Sequence, residues 1–89
     1  PMEQERVASV ILHDAQGQVL PVGSLVSRAA RSNAVVGYDG IAWLENLDDV
    51  NALDVTMPDG KHCQATLTVD ANPEHKLQTY GPLVCREQP

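Results

Sequence analysis

Hydrophobic and polar residues alternate along several stretches of the chain, which is the pattern of β-strands that bury one face. The alternation is clearest over residues 53–57 and 63–69. In the second stretch, four side chains would share the buried face: Cys63, Ala65, Leu67 and Val69. Further strands are predicted over residues 6–13 and 24–29, and a last extended segment over residues 77–85, interrupted at Gly81-Pro82.

Turn-forming residues separate these strands at short intervals, most clearly at residues 14–17, 58–60 and 72–73. No stretch combines a helical period with capping residues. Short strands and turns at this spacing are typical of a β-sandwich. We therefore predict one all-β domain over residues 1–89, a small sandwich of six or seven strands that is frayed at residues 1–5 and 87–89.

Residues 35–44 are strongly apolar and hold Asp39-Gly40 between two β-prone runs. This dipeptide tolerates the positive φ angles of a type I′ turn, so we predict a tight two-residue β-hairpin. Because directly opposite residues share a side of a sheet, one side would carry Val36, Tyr38, Ile41 and Trp43, and the other Val35, Gly37, Ala42 and Leu44. Only one side can face the core of a small domain, so the other is expected to meet a second layer, a neighbour or a partner.

The segment Leu20-Pro21-Val22-Gly23 allows two interpretations. Pro21 lacks an N–H, so it must lie in a loop or on a sheet edge. The segment is then either a turn in which Leu20 or Val22 fills the core, or an apolar loop that touches a partner.

Composition narrows the function. The chain has 89 residues, 43% of them apolar, and a formal net charge of −6. Its six basic residues are scattered, which disfavours nucleic-acid binding because phosphate contacts need clustered Lys and Arg. No run of eighteen apolar residues is present, so no membrane span by a helix is expected. We expect the chain to be one domain of a longer exported protein.

The two cysteines, Cys63 and Cys85, suggest one disulfide and an oxidising compartment, because the chain is small, acidic and rich in predicted strands. The alternative is two buried free thiols in a cytosolic domain. A hairpin formed by the last two predicted strands would place Cys63 opposite Cys85, although a bridge between two sheets remains open.

Residues that could carry chemistry do not form a recognisable site. His13, His62 and His75 match no metal-ligand spacing, and the acidic residues from Glu45 to Asp54 match no calcium loop. No serine has a nucleophile context. We expect a binding domain rather than an enzyme, with no metal and no cofactor.

Several motifs occur in an order that is shared with one protein family. They are Gly17-Gln18-Val19-Leu20-Pro21-Val22-Gly23-Ser24, then Val36-Gly37-Tyr38-Asp39-Gly40, Trp43-Leu44 with Leu47, Leu53-Asp54-Val55, Cys63 and Cys85. In these the chain resembles the C-terminal domain of fimbrial outer-membrane ushers of the chaperone–usher pathway of Gram-negative bacteria. It departs from the family pattern at Val22, where an aromatic residue is usual, at Ser24, where Ala is usual, and at Asn46, where Gly is usual.

The resemblance implies a transthyretin-like or immunoglobulin-like sandwich on the periplasmic side of the outer membrane. It also implies binding of chaperone–pilus subunit complexes, which the domain would position for donor-strand exchange, and contact with other domains of the same usher. The family usually has a polar residue at the position of Ile41 and an apolar one at that of Ala42. That phase puts Val36, Tyr38, Ile41 and Trp43 on an outer, partner-binding face, with Leu20 and Val22 as further candidates.

Three alternatives remain open from the sequence. The reverse phase of the hairpin puts Trp43 in the core and leaves the docking surface undefined. The whole domain could instead be a carbohydrate-binding or adhesive β-sandwich of an exported protein, since exposed aromatic rings commonly stack on sugars; a small secreted inhibitor is a third possibility.

Overall fold

The computed structural model describes residues 6–29, 31–69 and 78–87. These residues form eight strands and one 3-10 turn: β1 (Ala8–His13), β2 (Leu25–Ser27), β3 (Ala34–Val35), the turn (Tyr38–Gly40), β4 (Ile41–Leu44), β5 (Val50–Thr56), β6 (His62–Thr68), β7 (Gln78–Val84) and β8 (Arg86–Glu87). The predicted all-β class is confirmed. In this described part of the chain there is no helix long and apolar enough to cross a membrane.

The strands form two sheets, one of three strands in the order β4-β1-β7 and one of five in the order β3-β2-β5-β6-β8. The central strand β1 pairs antiparallel with β4 and parallel with β7. The pairs of the five-stranded sheet are antiparallel. In the order of the described elements the chain passes between the two sheets five times, and two of these connections, from β3 to β4 and from β7 to β8, join an edge strand of one sheet to an edge strand of the other.

Alternation along the strands builds the core, as the sequence predicts. Burial alternates residue by residue along β1, β4, β5 and β6. The side chains predicted to face inward from residues 63–69 are all buried, and they meet the buried face of the three-stranded sheet. The largest fully buried side chains are Leu12, Leu20, Leu44, Leu53 and Leu67. In a chain without Phe, leucine and valine fill the space between the sheets.

The disulfide is confirmed and lies at the connection from β7 to β8. Cys63 is on β6, and Cys85 is the residue between β7 and β8, with a Cα–Cα distance of 5.4 Å. Both side chains are buried. The predicted hairpin of the last two strands, which would have placed Cys63 opposite Cys85, does not form. Strand β7 pairs with β1, while β6 pairs with β5 and β8. The disulfide therefore ties the connection between β7 and β8 to β6 of the five-stranded sheet.

The structure describes the predicted chain ends only in part. Residues 1–5 and 88–89, predicted to be frayed, and the turn predicted at residues 72–73 lie outside the described residues, whereas Glu87 belongs to β8. The interruption predicted at Gly81-Pro82 is a shift in the register between β7 and β1 rather than a break, since β7 continues through it.

The predicted hairpin around Asp39-Gly40 forms its turn but not its strand pair. Asp39 and Gly40 have φ angles of 60° and 73°, and the N–H of Ile41 donates to the carbonyl oxygen of Tyr38, as in a type I′ turn. The next bond, however, runs from the N–H of Gly37 to the carbonyl oxygen of Ile41, over 2.8 Å. Beyond the turn, β3 joins β2 in one sheet and β4 joins β1 in the other.

The Gly37–Ile41 bond changes which side chains face the core. A regular two-residue hairpin would use the N–H of Tyr38 as its donor, so Tyr38 is an extra residue of the kind that makes a β-bulge. An extra residue reverses the faces of the strand before it. Val36 is accordingly buried and Val35 is 58% exposed, the reverse of the prediction, while Ala42 and Leu44 are buried as predicted.

A candidate docking surface on the three-stranded sheet

The outer side of β4 carries exposed apolar side chains. Ile41 is 40% exposed and Trp43 is 46% exposed, and Tyr38, in the turn that leads into the strand, is 83% exposed. Ile41 lies directly opposite the half-buried Ile11 of β1. We call this set, Ile11, Tyr38, Ile41 and Trp43, the β4 face. The alternative phase with Trp43 in the core is wrong.

The indole of Trp43 has a polar anchor as well as an apolar surface. Its Nε1–H donates to Oε2 of Glu45 over 3.1 Å. Trp43 and Glu45 are two residues apart along an extended chain, so both side chains point to the outer side. The bond restricts the ring on the surface of the sheet, and a ring held in this way loses less entropy when a partner covers it.

The segment 20–23 is a turn with one side chain inside. Leu20 is buried, and Val22 is exposed. Ser24 closes the turn on Pro21, since its N–H and its hydroxyl both donate to the Pro21 carbonyl oxygen, over 3.2 and 2.8 Å. Gly23 ties the turn to β3 by donating to the carbonyl oxygen of Val36 over 2.8 Å.

Two of the six side chains predicted to touch a partner are therefore internal. Leu20 fills the core beneath its turn, as one of the two interpretations of that segment has it, and the predicted outward position of Val36 is wrong because the bulge turns its side chain inward. The four that lie at the surface are Val22, Tyr38, Ile41 and Trp43. Sequence reasoning missed the exposed pair Leu25 and Val35, which lie directly opposite each other on the outer side of the five-stranded sheet.

Sequence reasoning also missed Arg28, which lies just after β2. Its guanidinium donates to the carbonyl oxygens of Glu45 and Asn46 and to Oδ1 of Asn51. Partial burial lowers the pKa of Arg28, the nearby charge of Arg31 lowers it further, and Asp48 opposes both. The six basic residues are scattered along the chain, so nothing in the sequence indicates that Arg28 would make these contacts.

The buried amide of Asn51 fixes the start of β5. It accepts from the N–H of Asp48 over 2.8 Å and donates to the carbonyl oxygens of Asp48 and Leu67 over 2.7 and 3.2 Å. Elsewhere in the described ranges, no group of three or more His, Cys, Asp or Glu side chains could hold a metal ion.

The model of the PapC C-terminal domain family matches residues 10–71, more than half of the chain. The chain belongs to the PapC C-terminal domain family. The predicted resemblance to usher C-terminal domains is thereby confirmed, and it places the chain in chaperone–usher pilus assembly, as part of an outer-membrane usher. Members of this family are structural, non-enzymatic components that interact with other parts of the assembly machinery.

Two solved structures share this fold. The C-terminal domain of the PapC usher superimposes with a TM-score of 0.72 at 28% identity, covering 90% of this chain and 98% of that one. The C-terminal domain of the Caf1A usher superimposes with a TM-score of 0.76 at 16% identity, covering 91% of this chain and 97% of that one. Conserved hydrophobic clusters on the surface of the Caf1A domain are important for F1 antigen assembly. No curated protein matches the sequence.

Proposed function

We propose that this domain docks chaperone–pilus subunit complexes on the periplasmic side of the outer membrane. It holds a complex while the N-terminal strand of the next subunit displaces the chaperone strand. No covalent bond changes in that exchange, so the contribution of the domain is to position the partners. Other domains of the same usher are its neighbours during this step.

The observation that carries the proposal is the β4 face. Its aromatic and aliphatic side chains are exposed together at one edge of a sheet. A cluster of exposed apolar side chains is typical of a surface that binds a partner. Aromatic side chains are also enriched among the residues that dominate binding energies. The Caf1A domain, which has the same fold, depends on surface hydrophobic clusters for assembly. We assign the same kind of role to Tyr38, Ile41 and Trp43, with Val22 as a candidate at the neighbouring turn.

A direct capture experiment tests the proposal. The 89-residue chain is immobilised, and a purified periplasmic chaperone–pilus subunit complex from the same organism is passed over it, with the free chaperone as the control. The expected result is saturable capture of the complex and weaker capture of the free chaperone. The same chain is applied to a glycan array. Binding to glycans with no capture of the complex would overturn the proposal in favour of a carbohydrate-binding module.

A further inference from the structure

The indole of Trp43 has few neighbours on its own sheet that could fix its orientation. Within the described residues β4 is an edge strand, so Trp43 has a cross-strand neighbour on one side only. That neighbour is Ser9 of β1, whose side chain is small. A cleft of about 250 Å³ adjoins the ring and is lined by Trp43 together with Val35 and Arg28. Packing against the sheet alone therefore leaves the ring room to turn between the β4 face and this cleft.

The side chain of Glu45 provides the polar contact that fixes the ring. The Nε1–H of Trp43 donates to Oε2 of Glu45 over 3.1 Å. The two residues are two positions apart along an extended chain, so their side chains project from the same side. A hydrogen bond between two exposed side chains holds the ring only if the main chain of the acceptor residue is itself held, because otherwise the two side chains move together.

Arg28, which directly follows β2 of the other sheet, holds the main chain of Glu45. Its guanidinium donates to the carbonyl oxygen of Glu45, its nearest acceptor, and over a longer distance of 3.5 Å to that of Asn46. Glu45 lies one residue beyond the last pair of the β1–β4 ladder, Ala8 with Leu44. The chain then turns, since Asn46 has a φ angle of 54°, in the left-handed region. Arg28 is thus a tether for a residue that the ladder does not reach.

These two contacts link the sheets in one series, from the guanidinium of Arg28 to the main chain of Glu45 and from the Glu45 carboxylate to the indole. We propose that Arg28 and Glu45 are positioning residues of the docking surface, which keep the indole of Trp43 on the β4 face. Both act through the ring and need not touch the partner. The inference rests on the proposed docking function and names the residues that prepare its tryptophan.

Positioning of this kind affects affinity through conformational entropy. A ring that is already held loses less freedom when a partner covers it than a ring that samples several orientations. Removal of either contact therefore weakens docking although the apolar area of Trp43 is unchanged. The effect is confined to variants of the series, and it requires the ring to be present.

The ring can be observed without any partner, because Trp43 is the single Trp of the chain and gives one indole N–H resonance. The hydrogen-exchange rate of this N–H and the fluorescence anisotropy of the ring are measured on the isolated 89-residue chain. We expect Glu45→Ala to speed the exchange about fivefold and to lower the anisotropy. Glu45→Gln removes the same charge but keeps an oxygen acceptor, so it should change the exchange rate by less than about twofold.

A second matched pair tests the tether. Arg28→Met keeps the aliphatic stem but removes the donors, and it should speed the indole exchange about as much as Glu45→Ala does. Arg31→Met removes a guanidinium that pairs with Asp48 instead, and it should change the exchange rate by less than about twofold. The exposed Glu45 variants keep the test valid if Arg28→Met does not fold.

Binding of the purified chaperone–subunit complex shows whether the held ring matters for docking. Glu45→Ala and Arg28→Met should each weaken binding about fivefold, whereas Glu45→Gln and Arg31→Met should change it by less than about twofold. Because the two residues act through the ring, Arg28→Met should cause a further loss of less than about twofold on a chain that already carries Trp43→Ala. A merely structural role would give the full loss on that chain as well.

Three results would overturn the inference: an indole exchange rate that Glu45→Ala leaves unchanged, equal effects within either matched pair, or a loss for Arg28→Met that persists on the Trp43→Ala chain. The docking function would survive any of these, because capture of the complex by the unchanged chain tests it separately. Absence of capture, with the indole released in Glu45→Ala and Arg28→Met, would instead remove the proposed docking function while confirming that the two residues hold the ring.

Discussion

The N–H of Gly37 donates to the carbonyl oxygen of Ile41 over 2.8 Å, one residue before the donor that a regular two-residue hairpin would use. This single bond makes Tyr38 an extra residue and reverses the faces of the strand before it. Val36 enters the core, and Val35 reaches the surface. On the other side of the turn the phase is unchanged, so Leu44 is buried and Trp43 is exposed.

The turn depends on Gly40 for two separate reasons. Its φ angle is +73°, and an added Cβ would approach the carbonyl oxygen of Leu12 to 2.7 Å and Cβ of Val19 to 3.0 Å. Gly60 also has a positive φ, +90°, but an added Cβ there would meet nothing within 4 Å. We expect Gly60→Ala to lower the free energy of unfolding by about 1 kcal/mol and Gly40→Ala by about 3 kcal/mol, since only the second adds a clash.

Urea denaturation of the two variants measures both changes. Equal losses would contradict the packing of Gly40 against β1 and the 19–20 segment. Such a result would leave only the backbone angle as the reason for glycine at this turn.

The strands and turns that depend on neighbouring residues could be predicted from the sequence. Alternation alone locates β5 and β6 to within a few residues, and the turn residues at 58–60 join them. The φ angles at Asp39 and Gly40 also follow from residue type, because Asp and Gly tolerate the left-handed region. In these cases the signal lies within a few neighbouring residues.

The features that the sequence did not predict depend on residues that are far apart in the chain. The parallel pairing of β7 with β1 brings together segments separated by about seventy residues, which no local pattern records. The bulge at Tyr38 accompanies the division of β3 and β4 between two sheets. The exposure of Val35 depends on that bulge, so it could not be predicted from residues 35–44 alone.

The disulfide should contribute substantially to stability. It closes a loop with a sequence separation of 22, for which the chain-entropy model gives about 3 kcal/mol. We therefore expect the variant with both Cys63→Ala and Cys85→Ala to lose about 3 kcal/mol of unfolding free energy in urea denaturation. Intact mass before and after alkylation provides the covalent check. Two alkylated thiols in natively purified protein, or a change below about 0.5 kcal/mol, would contradict this account.

Asn51 tests how much the hydrogen bonds of a buried side-chain amide contribute to the free energy of unfolding. Asn51→Leu keeps a similar size but removes the partners of the Asp48 and Leu67 main-chain groups, so we expect a loss of about 2–3 kcal/mol. Gln64→Leu is the matched control. Gln64 lies on the neighbouring strand and donates to Asp54 over 2.8 Å, but this bond is exposed to water, so the change should stay within about 0.5 kcal/mol. Thermal melts that shift equally would show that the Asn51 contacts do not anchor β5.

The docking proposal depends most directly on Trp43. The indole is 46% exposed and belongs to the β4 face, whereas Val50, 61% exposed, lies on the other sheet and provides the control. Both Trp43→Ala and Val50→Ala should still melt in one cooperative transition, because neither side chain fills the core. A binding titration with the purified chaperone–subunit complex is the decisive measurement. We predict that Trp43→Ala weakens binding by about 2 kcal/mol, roughly thirtyfold, and that Val50→Ala changes it by less than about twofold; a folded Trp43→Ala domain that binds the complex as tightly as the unchanged chain would contradict the account.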